Sequence, residues 1–519
     1  MQSDPLFILI KSLSKSEKRN FKLYVNRIQS KEKAKFIQLF DVLDKQKNYQ
    51  EEVIFQKIPS LKKSQLSNLK RHLYRQILTS LRLIHIQKNL ESQIREQIDF
   101  ASILYGKGLY LQSLKLLDRV KNIAKEAHQD LLLVEIIEFE KLIESRHVTK
   151  TIENRAEELS DDSEKRNKVN YNASKLSSLS LKMYGFFLKL GQVRTEEDAR
   201  MVKAFFRSHI QSIDSKELSF FQKVHLYQSY VWYYYILQNF LYYYRYSQKW
   251  VDLFVDNPSM QLKDSVLYIR GRYHLLVAQF NLRNYTKFCI HLEELRAFNT
   301  LHGDSFNKNT EVLIFLCLKT AELDKHIFEG SFTEGLKLLP DLERGIKDYG
   351  FHLDSHRIMI FHYKIACIYF GSGNIKASID YLNKIIQLKV GHLRADIQCY
   401  ARLLHLIAHY ELQHFGLLEY LVKSVYRFLG KMEDLNLVQR EILKFLRNAL
   451  NLVDPYDQKL AFEELKEKIN KIAQHPLEKR SFSYLDIISW LESKIENRPI
   501  QVIIQEKFKA KLVSEHKTF

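Results

Sequence analysis

Glycine and proline are scarce in this chain, with 15 and 7 among 519 residues, against usual frequencies of about 7% and about 5%. A large β protein or a dinucleotide-binding α/β fold needs glycine at hairpin turns and phosphate loops. Long helices with few sharp breaks are expected instead. Cysteine is sparse too: Cys289, Cys317, Cys367 and Cys399 lie far apart and form no CxxC pair. Zinc-knuckle and dithiol motifs are therefore absent, and the pattern fits buried reduced thiols in a cytoplasmic protein. No P-loop, GxGxxG, GxSxG or kinase-like set occurs, so no enzyme and no cofactor are expected. No signal peptide is visible, since the apolar run Leu6–Ile10 is short and followed at once by charges. The longest uncharged run, 224–244, contains Gln228, Ser229, Gln238, Asn239 and many tyrosines. Their polar groups resist burial in hydrocarbon, so no membrane span is expected.

What is present is helical periodicity, broken by short recurring turn units. These read Gly108-Leu109-Tyr110, Gln238-Asn239-Phe240, Arg283-Asn284-Tyr285, Gly330-Ser331-Phe332, Gly373-Asn374-Ile375 and Gln413-His414-Phe415. Each is a small or polar residue, one further position, then an aromatic or aliphatic residue that opens an apolar helix. The last five are spaced by 45, 47, 43 and 40 residues, which two helices of about 18 residues and their turns would fill. One such pair cannot bury both its apolar faces. Stacking successive pairs solves this and creates a groove.

Residues 365–382 (IACIYFGSGNIKASIDYL) resemble the tetratricopeptide repeat. In that likeness Ala366 and Ser378 take the small positions of the two helices, Gly373 the turn, and Leu382 and Ile385 the following core positions. A second copy runs from Ala101 to Val120, with Gly108, Tyr110, Ser113 and Leu117 at the matching places. Elsewhere Tyr243 and Phe288 stand where a small residue is usual, and the spacing exceeds the family's period of about 34 residues. Residues 482–495 look like the closing helix of a group of bacterial helical-repeat proteins. Leu485, Ile488, Trp490, Leu491 and Ile495 would there cover the last repeat, as terminal caps must. The expected fold is all-α: a tetratricopeptide-like α-solenoid of antiparallel helix pairs over 93–454, with a basic N-terminal helical module (1–92) and a C-terminal helical cap (455–519). Asp454-Pro455 and His475-Pro476 mark linkers.

Charge is concentrated at the N-terminus. Residues 1–90 hold 19 Lys and Arg against 7 Asp and Glu, and the remainder 61 against 54. Between Val53 and Leu90 there is no acid, while Lys57, Lys62, Lys63, Lys70, Arg71, Arg75, Arg82 and Lys88 are present. This segment reads as a short helix over 51–57, a Pro59 turn, and a longer helix capped by Ser60. Leu66, Leu69, Leu73, Ile77, Leu81 and Ile84 make its apolar stripe. Lys63, Lys70, Arg71, Arg75 and Arg82 are the candidates for contact with DNA or RNA phosphates, with Lys15, Lys18, Arg19 and Lys22 as reinforcement if they share the face. Residues 66–73 look like the second helix of some helix-turn-helix domains. Ser14-Lys15-Ser16-Glu17 is a capping box opening another basic helix.

Nine tyrosines crowd 227–246, together with Trp232 and Phe240. Core packing takes most of them; Tyr230, Tyr233, Tyr234 and Tyr243 are the candidates for contact with a partner in the groove. His405 and His409, one turn apart near Glu411 and His414, supply too few ligands for a metal, and none is expected. The leading expectation is an interaction or scaffold protein that binds a peptide or protein segment in a helical-repeat groove. The second is a nucleic-acid-binding regulator, a layout similar to peptide-sensing regulators that join a helix-turn-helix domain to tetratricopeptide repeats. The third is an enzyme without a readable motif.

Overall fold

Helix signals in this sequence become hydrogen bonds in the fold. The computed structural model describes residues 4–27, 33–86, 89–147, 155–211, 218–350, 353–388, 390–391, 394–432, 436–449, 454–475, 478, 482 and 486–516. Among them all regular structure is helical and no strand occurs. Lys88, Pro476 and Leu485 lie outside the described residues. The chain forms two compact units, residues 1–170 and 171–519, and the division falls within one helix, Arg155–Leu190.

The first unit contains α1 (Pro5–Ser12), α2 (Lys15–Arg27), α3 (Lys33–Lys45), α4 (Glu51–Lys57), α5 (Lys63–His85), α6 (Leu90–Gly106), α7 (Tyr110–Glu126), α8 (Asp130–His147) and the start of α9 (Arg155–Leu190). The capping box heads α2 as expected: Glu17 N–H donates to Ser14 Oγ at 3.2 Å, and Ser14 N–H to Glu17 Oε2 at 2.8 Å. α5 departs from expectation at its start. Ser60 does not cap it; the chain turns through Leu61, which is buried, and Lys62 is the N-cap. Anchoring Leu61 in the core delays the helix by two residues relative to the expected Ser60 cap. The first four residues of the α5 stripe, Leu66, Leu69, Leu73 and Ile77, are buried among Leu6, Ile10, Phe21, Leu39 and Phe40, whereas Leu81 and Ile84 are half-buried. Each such side chain contributes about 1.5–3 kcal/mol of burial. A separate core around Ile94, Ala101, Leu117, Leu133 and Ile136 joins α6, α7 and α8.

The second unit continues with α10 (Glu196–Ile210), α11 (Phe220–Ile236), α12 (Phe240–Val255), α13 (Pro258–Lys263), α14 (Ser265–Asn281), α15 (Tyr285–His302), α16 (Lys308–Glu329), α17 (Phe332–Gly335) and α18 (Leu339–Asp348). It ends with α19 (Ser355–Gly371), α20 (Ile375–Ile386), α21 (Ala395–Glu411), α22 (Phe415–Lys431), α23 (Leu437–Ala449), α24 (Pro455–Ala473), α25 (Ile487–Ile495) and α26 (Ile500–His516). Neighbours in sequence pack on each other through most of this run, and α14 with α16, α16 with α19, and α19 with α21 also touch.

All six turn units share one device. Their first residues have positive φ: Gly108 78°, Gln238 57°, Arg283 55°, Gly330 71°, Gly373 85° and Gln413 56°. A left-handed residue just past a helix lets the next N–H groups return to the last carbonyls, as Asn374 N–H does to Tyr369 O at 2.9 Å. The third residue of every unit is the first of the following helix. His128 (φ 55°) and Asn497 (φ 51°) make the same turn without an apolar residue two places on, so the pattern did not reveal them. In the two strongest motif copies the small residues are bonded alike. Ser113 Oγ donates to Ala101 O at 2.8 Å and Ser378 Oγ to Ala366 O at 2.9 Å, with all four residues buried.

Glutamine pays a steric penalty in the left-handed region that glycine escapes, about 1 kcal/mol. Gln413 is exposed, so Gln413→Gly is expected to raise stability by up to about 1 kcal/mol, read as a higher urea midpoint. A lower midpoint would show that the glutamine side chain contributes more than its backbone strain costs.

Of the residues expected to cover the last repeat, Ile488 and Ile495 are half-buried. Trp490 and Leu491 are buried, and Trp490 packs edge-on to Tyr410 and Phe462. The last helix does something further. α26 reaches back to residues 283–333, where Gln505 Nε2 donates to Gly330 O at 3.1 Å and Phe508 meets Tyr285 at 4.7 Å between ring centroids.

Candidate functional site

Two adjoining cavities open within the second unit, holding about 1170 and 1320 Å³ with their mouths included. They share Phe187, Trp232, Tyr273, His274, His356 and Ile360 as walls. Helical spacing explains why these side chains meet. Along α11, His225, Gln228, Trp232 and Tyr235 recur at steps of three and four; along α14, Arg270, Tyr273, His274 and Val277 do the same. α16 adds Cys317, Thr320, Asp324 and Ile327, and α19 adds His356, Ile360, Tyr363 and Lys364. One face of each helix therefore points inward.

The first cavity is ringed by aromatic side chains, and two ion pairs contribute side chains to its wall. Arg394 grips Asp396 through two hydrogen bonds of 2.8 and 2.7 Å, both residues being buried. Its guanidinium also lies 5.0 Å from the Phe187 ring centroid. Lys364 pairs with Asp324. Burial nonetheless raises the Asp324 carboxyl, against the pull of that lysine.

The histidines of the walls are neutral bases. Burial pushes His274 down to about 3, helped by Arg270, and its Nδ1 shares a hydrogen bond with Tyr243 Oη at 2.8 Å. His356 falls to about 4, through burial and then the charge of Arg394; Arg394 donates to its Nδ1 at 3.3 Å. His225 is lowered by burial as well. Cys317 and Cys367 are pushed up to about 12 by burial. A thiol held that high is protonated at neutral pH and weakly nucleophilic. The walls thus combine flat apolar rings and neutral polar groups with the cations Arg270, Arg357, Lys364 and Arg394 and the acid Asp324.

The four tyrosines singled out in the sequence are placed differently from one another. Tyr243 is fully buried and lines the first cavity. Tyr233 is buried and stacks on Phe206 at 4.1 Å. Tyr230 and Tyr234 interleave with Tyr242 and Tyr246 in a stack that joins α11 to α12, Tyr230 lying 4.1 Å from Tyr246 and Tyr234 5.0 Å from Tyr242. Trp232, Tyr235 and Tyr273 line the cavity and were not singled out. The crowded run gives no period by which to tell one face of α11 from another.

Of the basic candidates on α5, Lys63, Arg71, Arg75 and Arg82 are exposed. Lys70 is tied down: it pairs with Asp4 at 3.0 Å, bonds Tyr49, and approaches Glu51 at 3.8 Å. Lys18 and Lys22 of α2 pair with Asp44 and Asp41, each at 2.7 Å. His405, His409 and His414 form a chain through His409, with nitrogen separations of 3.3 and 3.0 Å. Glu411 turns away to accept from Trp490 Nε1 at 2.7 Å and Lys494 at 2.8 Å. Among the described residues no group of three or more His, Cys, Asp or Glu could hold a metal ion, and no helix is long and apolar enough to cross a membrane. No protein-family model matches the chain, and no curated protein matches its sequence.

Proposed function

We propose that this protein is a non-enzymatic interaction protein, a tetratricopeptide-like α-solenoid of antiparallel helix pairs that holds a peptide or protein segment in the paired cavities of its second unit. The observation that carries this is the alternation of lining helices. α9, α11, α14, α16 and α19 each give a face to the cavities, α12 gives only Tyr243 and Trp250 and α21 only Ile397, and α15, α20 and α22 give none. That is the division of labour between inner and outer helices of a stacked array, whose inner face is a binding surface.

The chemistry suits a peptide. Gln228, Asn281 and Thr320 offer amide and hydroxyl partners for an extended backbone, and neutral His274 and His356 each add the ring nitrogen that Tyr243 or Arg394 does not engage. Trp232, Tyr235 and Tyr273 offer rigid area for its side chains. Protonated thiols and neutral histidines with no activated nucleophile beside them favour binding over catalysis. The four free cysteines support a reducing, cytoplasmic setting.

Panning a random peptide library on the immobilised full chain tests this. Peptides that bind the wild type should bind at least about tenfold more weakly, roughly 1.4 kcal/mol, to Ile360→Trp, in the wall shared by both chambers, and to Val277→Trp, in the first. Equal binding to the filled variants would move the ligand elsewhere. If no peptide is enriched, the interaction proposal fails, and turnover of a captured small molecule would replace it with an enzymatic one.

A further inference from the structure

We infer that α5 of the first unit is a contact element for duplex nucleic acid, a site separate from the peptide cavities and not dependent on them. The inference rests on which side of the helix its charges occupy. The core face of α5 is Leu66, Leu69, Leu73 and Ile77. At 100° per residue, Arg71, Arg75 and Arg82 fall within about 40° of one another on the opposite side. Ser64, Ser67 and Asn68 continue the same exposed arc toward the start of the helix, and Lys63 flanks it. The arc covers about half the helix circumference and about 28 Å of its length, from residue 63 to 82.

Charge and composition select the partner. Lys63, Arg71 and Arg75 make no ion pair among the described residues, and no acid occurs on α5 or its flanks between 53 and 90. Arg82 faces Asp99 at 3.4 Å, both being largely exposed, so its charge is partly countered. The positive potential is thus strongest over the first two-thirds of the helix. Polyanions with regularly spaced phosphates fit such a row, each arginine being able to donate to phosphate oxygens. Single strands are bound largely by rows of aromatic rings, and Tyr74 is the one exposed Phe, Tyr or Trp of α5. A helix with half its circumference exposed fits the major groove of a duplex, about 12 Å wide. Arg71 and Arg75 would then hold phosphates, while Ser64, Ser67 and Asn68 face the base edges.

The test is fluorescence anisotropy of a labelled random-sequence DNA duplex with the full chain, across a salt series. The wild type should bind at low salt, with affinity falling steeply as salt rises. Arg71→Ala/Arg75→Ala should weaken binding about tenfold or more and reduce the log–log salt slope by about 2, since each phosphate contact contributes about 0.9. Arg82→Ala should do less, because Asp99 already shares its charge. Circular dichroism and the urea midpoint should be unchanged in the double variant, whose side chains lie opposite the core. No duplex binding at low salt overturns the inference, as does undiminished binding by the double variant. Preference for single strands, or binding to anionic vesicles or a polyglutamate peptide in place of the duplex, also overturns it.

Discussion

Lowering the pH from 7.5 to 5 is expected to remove several kcal/mol of stability from the second unit. His274 is held near 3 in the folded chain, against an ordinary value of 6.5. Between those values the unfolded chain takes up a proton that the folded one refuses, so stability falls as the pH drops below 6.5. The loss is about 1.4 kcal/mol per pH unit for one such group, and therefore about 2 kcal/mol from His274 at pH 5. His356, His362 and His405, each pushed down to about 4 with burial as the first cause, act in the same direction. Asp264 and Asp324, raised by burial, work in the opposite direction, beginning only as the pH nears their own raised values. Urea unfolding of the full chain at the two pH values measures the sum. His274→Asn should lower stability at pH 7.5, because it disturbs the Tyr243 hydrogen bond, while removing about 2 kcal/mol of the pH dependence. Equal stability at pH 7.5 and 5 would show that these histidines do not stay neutral inside the fold.

That result bears on function as well as stability. Charging His274 or His356 would place a cation in the wall shared by both cavities, beside Arg270 and Arg394. A peptide held there by neutral donors and acceptors would be released or retained according to its own charge. Binding measured at both pH values, above the unfolding transition, therefore reports on the cavity walls directly.

How far the sequence discloses this structure depends on whether a feature is local. The turn units could be read because a left-handed residue, a cap and a helix-opening apolar side chain lie within three positions. The α5 stripe could be read because helix periodicity separates Leu73 and Ile77 from Arg71 and Arg75. The Ser14–Glu17 capping box could be read for the same reason. The cavity could not, because its walls come from four or more helices far apart in sequence, and the tyrosine-rich run hides which face of α11 turns inward. Lys70 looked like its neighbours until Asp4 and Tyr49, distant in sequence, were brought against it. The return of α26 to Gly330 was equally hidden. A missing side chain permits it: a Cβ at Gly330 would meet Ile504 and the backbone of Gln505, and nothing near residue 330 announces a partner some 170 positions away.

Gly371→Val is expected to cost about 3 kcal/mol or more, at the upper end of overpacking substitutions. From the sequence, Gly373 takes the turn position and Gly371, two places before it, has no assigned role. In the fold they have different jobs. Gly373 has φ 85° and open space around it, so Gly373→Ala should cost only the left-handed strain, about 1–2 kcal/mol. Gly371 is the last residue of α19 with ordinary helical backbone, and a Cβ there would land on the root of the Phe332 ring. Phe332 is itself 4% exposed, in the core cluster with Ile365 and Ile368, so the ring has no room to swing aside. Either the start of α17 moves or α19 loses its last turn. Phe332→Ala in the Gly371→Val background should recover part of the loss, because it removes the clash, although Phe332→Ala alone should destabilise by about 3–5 kcal/mol. That non-additivity, measured as a double-mutant cycle on urea unfolding, is the signature of direct contact. Additive costs would show that the glycine serves the helix end and not the approach of the ring.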